Sequence, residues 1–261
     1  MDREAGSGSL LTRVDVLGVE VSAIDLPEAV RRIGSWIDAG AREYVCVTGA
    51  HGVIESLSDH SLLDIHNRAG MVTPDGMPLV WCGRWAGARG MSRVYGPDLM
   101  LAVMEASVDK GWRHFFYGAG PGVAERLADR LSVRFPGLKV AGTHTPPFRD
   151  LDEDERREVA EMINSSGGDI VWVGLSTPKQ ERWMARMRPL LDAPVLVGVG
   201  AAFDFHAGDL KQAPLWMQRS GLEWAFRLMM EPKRLWRRYF NIVPCFLLGI
   251  ARRRPRLVIG R

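Results

Sequence analysis

Polar residues suited to chemistry follow several apolar runs of the chain. Asp75 lies between Pro74 and Gly76 in the segment TPDGMPLVW, and an aspartate on such a rigid turn is suited to general-base catalysis. From the turn alone, the simpler interpretation is that Asp75 caps the following helix or stabilises the turn. Thr48 ends the run YVCVT and is predicted to project towards the same rim.

Two further strand-end loops carry polar side chains. In DIVWVGLSTPKQERWM, Lys179 or Gln180 could donate to a phosphate or a sugar hydroxyl near a helix start. In VLVGVGAAFDFHAG, Asp204 could accept hydrogen bonds from ribose hydroxyls or from a base N–H. The alternative for Lys179 and Gln180 is that they are solvated side chains at a helix start, and the alternative for Asp204 is that it caps a turn. Convergence of these loops on one rim is what favours a ligand site.

The run HFFYGAGPGVAERLADRL has the order strand, glycine-rich turn, helix. Gly118, Gly120 and Gly122 would allow a phosphate to approach the backbone at the helix start. The motif GAGPG is not the full dinucleotide fingerprint, and no acidic residue ends the next predicted strand. A tight strand-to-helix connection is therefore an equally good interpretation.

Positive charge is concentrated at the C-terminus. From residue 227 onward there are ten Lys/Arg and one acidic residue, Glu231, so this stretch carries +9; since the whole chain carries +3, residues 1–226 sum to −6. Such a tail suits an anionic partner, a phospholipid surface, a diphosphate or a nucleic acid, although a solvated basic helix explains it equally well.

β-rich runs alternate with amphipathic runs, which predicts an α/β fold with a Rossmann-like, mostly parallel sheet and flanking helices. A hairpin at the sheet edge is predicted from VDVLGVEVSAID. A composition shift near Gly221 predicts an α/β domain over residues 1–221 and a basic helical C-terminal appendage over residues 222–261. Strands are predicted at 44–48, 113–117, 138–143, 169–173 and 195–199, and helices at 27–38, 97–110, 122–134, 152–164 and 178–190.

Composition narrows the class of protein. The chain has 261 residues, 46% of them hydrophobic, and no apolar run approaches the roughly 20 residues of a membrane-spanning helix. No secretion signal is evident, so we expect a cytoplasmic protein. The three cysteines are far apart and fit neither a disulfide framework nor a zinc site, and the six histidines show no metal-ligand spacing.

Six blocks of the chain together resemble the WecG/TagA/CpsF family of bacterial glycosyltransferases, which make lipid-linked surface polysaccharides. The blocks occur in family order and cover roughly residues 14–240. They are TPDGMPLVW, VYGPDLM, FFYGAGPGVAE, DIVWVGLSTPKQERWM, FDFHAGDLKQAPLWMQRSGLEW and RLMMEPKRLWRRY. The resemblance implies transfer of an N-acetylmannosamine-type sugar from UDP to an undecaprenyl-diphosphate-linked sugar, with inversion and with neither a metal nor a cofactor.

The resemblance also implies a role for individual residues. Asp75 would be the general base, and Gln180 would contact the substrates near the reacting centre. Thr48 would line the sugar site, and Asp204 would hold the uridine. Gly118 and Gly120 are predicted to bind substrate on the strength of the glycine-rich turn rather than of the resemblance. The tail arginines Arg227, Arg234 and Arg237 would close over the site and neutralise the departing diphosphate.

One departure from the family pattern leaves the donor open. Family members often have Thr-x-Asn after the first strand, whereas this chain has Thr48, Gly49 and Ala50. An amide contact to the sugar is then missing or is supplied elsewhere, so a related hexose is compatible with the sequence.

The location implied is the inner face of the cell membrane, with the appendage as lid and membrane contact. We expect Arg252, Arg253, Arg254 and Arg256 to meet lipid headgroups or solvent. The sequence leaves open a homo-oligomer and an inactive nucleotide-binding scaffold protein of polysaccharide assembly. A nicotinamide-dependent oxidoreductase is disfavoured by the missing acidic residue. A nucleic-acid role is the least favoured, because aromatic residues alternate with the tail's arginines.

Overall fold

The computed structural model describes residues 11–259, apart from the side chains at positions 234, 237–239 and 259. Its centre is a six-stranded sheet in which every pairing is parallel. The strands are β3 (Glu43–Thr48), β4 (Met71–Pro74), β5 (Arg113–Gly118), β6 (Lys139–His144), β7 (Ile170–Gly174) and β8 (Val195–Gly198), in the order β4-β3-β8-β7-β5-β6. The predicted fold class is confirmed, and so are the five predicted strands.

The sheet is buried on both faces, which explains its continuous apolar strands. Successive side chains of β5 point to opposite sides, so Phe115 and Tyr117 join one apolar core while Phe116 joins the other. In β7, Val171 and Trp172 divide in the same way. Because successive side chains of a strand point to opposite faces, one continuous run of apolar residues contributes to both cores.

Helices cover both faces. The five predicted helices are confirmed, with α8 ending three residues early. They are α1 (Leu26–Ala39), α5 (Gly96–Lys110), α6 (Val123–Arg134), α7 (Glu153–Ser166) and α8 (Lys179–Met187). Local chemistry fixes several helix starts: Asp152 and Glu155 form a reciprocal capping box on α7, and Asp25 accepts the N–H of Glu28 on α1. The remaining helices before the C-terminal region are α2 (Ala50–Ser58), α3 (His60–Arg68), α4 (Met77–Trp85) and α9 (Ala202–Ala207).

The predicted hairpin forms beside the edge strand β4. Its strands, β1 (Thr12–Val16) and β2 (Val19–Ser22), pair antiparallel. The turn places Leu17 at φ 56° and Gly18 at φ 100°, the left-handed pair that matches strand twist in two-residue hairpins. Ser22 Oγ accepts the N–H of Val72 at 3.0 Å, so the hairpin satisfies an edge donor of β4. The hairpin belongs to a second, smaller sheet.

The C-terminal region folds back onto the body of the protein. It contains α10 (Leu215–Arg219), α11 (Glu223–Met230), α12 (Pro232–Arg252) and β9 (Arg256–Ile259), and β9 pairs antiparallel with β1. Arg253 and Arg256 pair with Asp15 at 2.5 and 3.3 Å, and their side chains remain 53% and 72% exposed, so their contact with lipid headgroups or solvent stays a prediction. Within residues 11–259, no helix is both long enough and apolar enough to cross a membrane.

Candidate active site

The carboxyl ends of the parallel strands form one edge, and the chain order reverses there. After β4 the chain crosses to β5, on the far side of β8 and β7, which creates the topological switch point where open α/β sheets bind ligands. The predicted site residues of the α/β part all belong to this edge. Thr48 ends β3, Asp75 follows β4, Gly118 ends β5 and Gly120 follows it, Gln180 follows β7, and Asp204 follows β8.

Asp75 is held rigidly by the backbone around it. Its N–H donates to the carbonyl of Thr48 at 3.1 Å, and its Oδ1 accepts the N–H of Gly96 at 3.1 Å. The suggestion that Asp75 caps the following helix is wrong, because Gly76 is the N-cap of α4. The carboxylate contacts the first residue of α5 instead, 21 positions along the chain.

The pKa of Asp75 is raised from its ordinary value of 3.8 to about 6. Burial is the largest cause, because it disfavours the charged form. The negative charge of Glu223 raises the pKa further, whereas the positive charges of Arg93 and Arg227 and the hydrogen bond from Gly96 lower it. A carboxylate of this kind is a stronger base than a solvated aspartate and remains mostly ionised at neutral pH.

Asp75 opens onto a cavity of about 510 Å³ between the sheet edge and the C-terminal helices. One part of its lining is polar and includes His51, Asp75, Arg93, Gln218, Glu223 and Arg227. The other part is apolar, formed by α4 and α12, and includes Trp81, Trp85, Ile242, Phe246 and Leu247. The Asp75 carboxylate therefore lies in the same cavity as an extended apolar surface.

Arg93 links Asp75 to the C-terminal helices. Its Nε donates to the Asp75 carbonyl at 2.6 Å and its Nη1 to Gln218 Oε1 at 3.0 Å. Its Nη2 forms an ion pair with Glu223, and the guanidinium lies 3.9 Å from the ring centre of Tyr95. Every edge of the guanidinium is therefore engaged, and two of its partners come from α10 and α11.

Sequence reasoning missed Arg93, Gln218 and Glu223. Arg93 directly precedes the block VYGPDLM, and the other two lie within FDFHAGDLKQAPLWMQRSGLEW. Polar residues inside or beside those blocks were the available signal. Nothing in the sequence indicated that these residues contact one another, because Arg93 and Glu223 are 130 residues apart in the chain.

Thr48 and Gln180 do not belong to the described lining of this cavity. Both side chains are buried, at 2% exposure. Gln180 Nε2 donates to Glu181 Oε1 at 3.2 Å, whereas Gln180 Oε1 is buried and has no hydrogen-bond partner among the described residues. Glu181, which sequence reasoning missed, is fully buried, and burial raises its pKa. This polar cluster lies next to β8, since a side chain at Gly200 would meet Gln180 Oε1 at 3.4 Å.

Asp204 and the two glycines also lie outside the described lining of the cavity. The Asp204 carbonyl accepts the N–H groups of Asp209 and Leu210, at 2.9 and 3.1 Å, and so closes the turn after α9. Gly118 has φ 123°, and a Cβ there would come within 2.8 Å of the Gly174 backbone. Gly118 is therefore required for close packing of the strands. A Cβ at Gly120 would have its nearest neighbour, Val123, at 3.8 Å, so a small side chain would fit there without a clash.

Of the three predicted tail arginines, Arg227 lines the cavity from α11. Arg234 and Arg237 lie on α12, but their side chains are outside the described residues. The structure thus brings Asp75 and Arg227 into one cavity and places Thr48, Gln180, Asp204, Gly118 and Gly120 elsewhere along the same sheet edge. Within the described part of the chain, no group of three or more His, Cys, Asp or Glu side chains is arranged to hold a metal ion.

Comparison with known proteins gives a consistent set of matches. The model of the glycosyl transferase WecG/TagA/CpsF family matches residues 14–258. Three similar curated proteins are each named N-acetylglucosaminyldiphosphoundecaprenol N-acetyl-beta-D-mannosaminyltransferase. The Bacillus subtilis protein is 32% identical, over 76% of this chain and 74% of its own length. The Bacillus spizizenii protein is 31% identical, over 80% and 79%, and the Staphylococcus aureus MW2 protein is 25% identical, over 94% of each.

Proposed function

Because this chain belongs to the WecG/TagA/CpsF family of glycosyltransferases, we propose that it transfers a hexose from a UDP-sugar to an undecaprenyl-diphosphate-linked sugar. The sugar is of the N-acetylmannosamine type or a related hexose, and the product serves surface or exopolysaccharide biosynthesis. The acceptor class follows the names of its relatives. One observation carries the proposal: a partly buried, unusually basic Asp75 faces a cavity that has both cationic and apolar walls.

Asp75 acts as the general base. It takes the proton of the acceptor hydroxyl while that oxygen bonds to the anomeric carbon, on the face opposite the diphosphate. The bond from the anomeric carbon to the diphosphate oxygen breaks, its electron pair leaves with UDP, and the configuration inverts. With a pKa of about 6, about nine in ten Asp75 side chains are ionised at pH 7.

Fixed cations neutralise the UDP that leaves. Arg227 already lines the cavity, and we assign Arg234 and Arg237 of α12 to the same task. Guanidinium groups bind phosphate oxygens bidentately and stabilise charge that develops in the transition state. On this proposal the reaction needs no divalent metal and no cofactor, so activity should survive chelation by EDTA.

The donor lies further along the sheet edge. Asp204 holds the uridine, Thr48 and Gln180 hold the sugar, and Gly120 admits the diphosphate close to the backbone. Support for the sugar contact comes from Gln180 Oε1, a buried acceptor with no partner among the described residues, since a sugar hydroxyl would satisfy it. Gly118 contributes by permitting the turn rather than by touching the ligand.

The apolar part of the cavity accommodates the lipid end of the acceptor. Trp81 and Trp85 are 51% and 57% exposed at its mouth, beside the apolar face of α12. Exposed aromatic residues next to a cationic segment are typical of proteins that lie on a membrane surface. We therefore place the protein at the inner face of the cell membrane, with residues 222–261 as the appendage that contacts anionic lipid.

The decisive experiment measures UDP release from a panel of UDP-sugars with an undecaprenyl-diphosphate-linked N-acetylglucosamine acceptor. Wild type should release UDP only when the acceptor is present, and Asp75→Asn should lower kcat by about 10²–10⁴-fold. The matched control is Asp154→Asn, which removes an exposed carboxylate on α7 and should leave kcat unchanged. Full turnover by Asp75→Asn would refute the base assignment. Donor binding without turnover by wild type would favour the inactive scaffold.

A further inference from the structure

The contacts of Arg93 depend on the C-terminal helices. The guanidinium is only 15% exposed, and the Glu223 carboxylate that pairs with it is 19% exposed. Glu223 is the first residue of α11. Burial raises the pKa of Tyr95, and the negative charge of Glu223 raises it further. Tyr95 in turn lies under the Arg93 guanidinium and immediately precedes Gly96, the donor to Asp75. A single carboxylate thus pairs with Arg93 and acts electrostatically on Tyr95, the two residues that frame the general base.

We propose that Glu223 is a positioning residue, which fixes the Arg93 guanidinium against Asp75 and so joins the C-terminal helices to the site of proton transfer. The inference rests on the proposed role of Asp75 as the base. Glu223 holds Arg93 through its ion pair, and its charge also acts on Asp75 directly. Gln218 holds the same guanidinium from α10 at 3.0 Å, which makes the attachment two-sided.

The charge of Glu223 matters as much as its hydrogen bonds. Among the described residues, the charged and titratable groups around Asp75 are Arg93 from the loop before α5, Glu223 and Arg227 from α11, Tyr95, and His51 and Cys82, which line the same cavity. The two arginines favour the ionised form of Asp75, and Glu223 opposes them. Because Glu223 neutralises Arg93, Asp75 keeps its basicity although a guanidinium lies beside it.

The two members of the ion pair should therefore have opposite effects. Glu223→Gln keeps the size and a hydrogen-bonding oxygen but removes the negative charge, so the pKa of Asp75 should fall by about 0.5–1 unit. Arg93→Gln removes the positive charge, so the pKa should rise by a similar amount. Glu223→Asp keeps the negative charge, so the pKa of Asp75 in this variant should stay within about 0.3 unit of its wild-type value. Merely structural damage would not produce shifts of opposite sign.

The test uses ¹³C NMR titration of the full-length protein labelled at aspartate carboxyl carbons, with the Asp75 signal assigned by its loss in Asp75→Asn. The acid limb of the kcat profile should move with the NMR pKa. At pH 7, Glu223→Gln should lower kcat about 3–10-fold while KM for the UDP-sugar is unchanged. Glu153→Gln is the control, because it removes an exposed ion-paired carboxylate on α7 and should change neither quantity.

The outcomes separate this inference from the proposed function. An unchanged pKa of Asp75 in Glu223→Gln, or shifts of the same sign in Glu223→Gln and Arg93→Gln, would overturn the inference. Opposite shifts of the NMR pKa support it even in an inactive sample, because the titration needs no turnover. A fully active Asp75→Asn would remove the proposed function instead. If Glu223→Gln does not fold, Glu223→Ala removes the same charge, and its shift of the Asp75 pKa is compared in sign with that of Arg93→Gln.

Discussion

The substitution Asp75→Asn should stabilise the fold while it abolishes catalysis, and the stabilisation should depend on pH. Asp75 has its pKa raised from 3.8 to about 6, so the native protein holds this proton more tightly than the unfolded chain does. Well below pH 3.8, Asp75 is protonated in both the native and the unfolded state, so its ionisation does not affect stability. Between pH 3.8 and about 6 the unfolded chain gives up this proton while the native protein keeps it, so stability falls over that interval and stays lower by a constant amount at higher pH.

The magnitude follows from the size of the shift. One pKa unit corresponds to about 1.4 kcal/mol, so a shift of about two units sets a ceiling of about 3 kcal/mol. Asp75 borders a cavity rather than a sealed core, and solvent there screens part of this cost. We therefore expect about 1–2 kcal/mol. An asparagine keeps the oxygen that accepts the N–H of Gly96 and does not titrate.

The assay is urea unfolding of wild type and Asp75→Asn at several pH values between 4 and 8. The difference in free energy of unfolding should be smallest near pH 4, grow in favour of the variant as the pH rises, and level off above pH 7. Titrating groups that do not interact with Asp75 are the same in both proteins and cancel in the difference. A difference that does not change with pH would refute the raised pKa, and with it the reason for regarding Asp75 as an unusually strong base.

Two further predictions concern the sheet edge and the cavity mouth. Gly118→Ala should lower the free energy of unfolding, measured in urea, by about 2 kcal/mol or more, because φ is 123° and the new Cβ would lie 2.8 Å from the Gly174 backbone. The control Gly120→Ala should change the free energy of unfolding by less than about 0.5 kcal/mol. Equal effects of the two substitutions would contradict the packing argument. Trp85→Glu should weaken binding to anionic phospholipid vesicles about tenfold or more, since a half-exposed tryptophan would no longer enter the interface. The matched Phe148→Glu changes a fully exposed aromatic residue at the opposite edge of the sheet and should leave vesicle binding unchanged; equal loss in both would argue against a localised membrane contact.

Much of the secondary structure could be predicted because its causes are local. Parallel strands between two helical layers read as short apolar runs, and the run VWV of β7 is fully buried. Helix starts such as Asp152 with Glu155 depend on residues three apart. Several elements were not predicted, among them β4, the helices α2 to α4, and β9. For β9 the reason is that a four-residue strand after a basic helix has no distinctive periodicity. It forms only because β1 offers a free edge.

The sequence by itself determined the family, the strand-end position of Asp75 and the concentration of positive charge at the C-terminus, since each depends on residue order over short stretches. Only the tertiary structure decided which of the strand-end groups share a cavity. It joined Asp75 with Arg227, buried Gln180 in a separate polar cluster, and paired Arg93 with Glu223 across 130 positions. Such pairings are selected by the packing of the whole chain, because loop closure and burial reward contacts that no local pattern encodes.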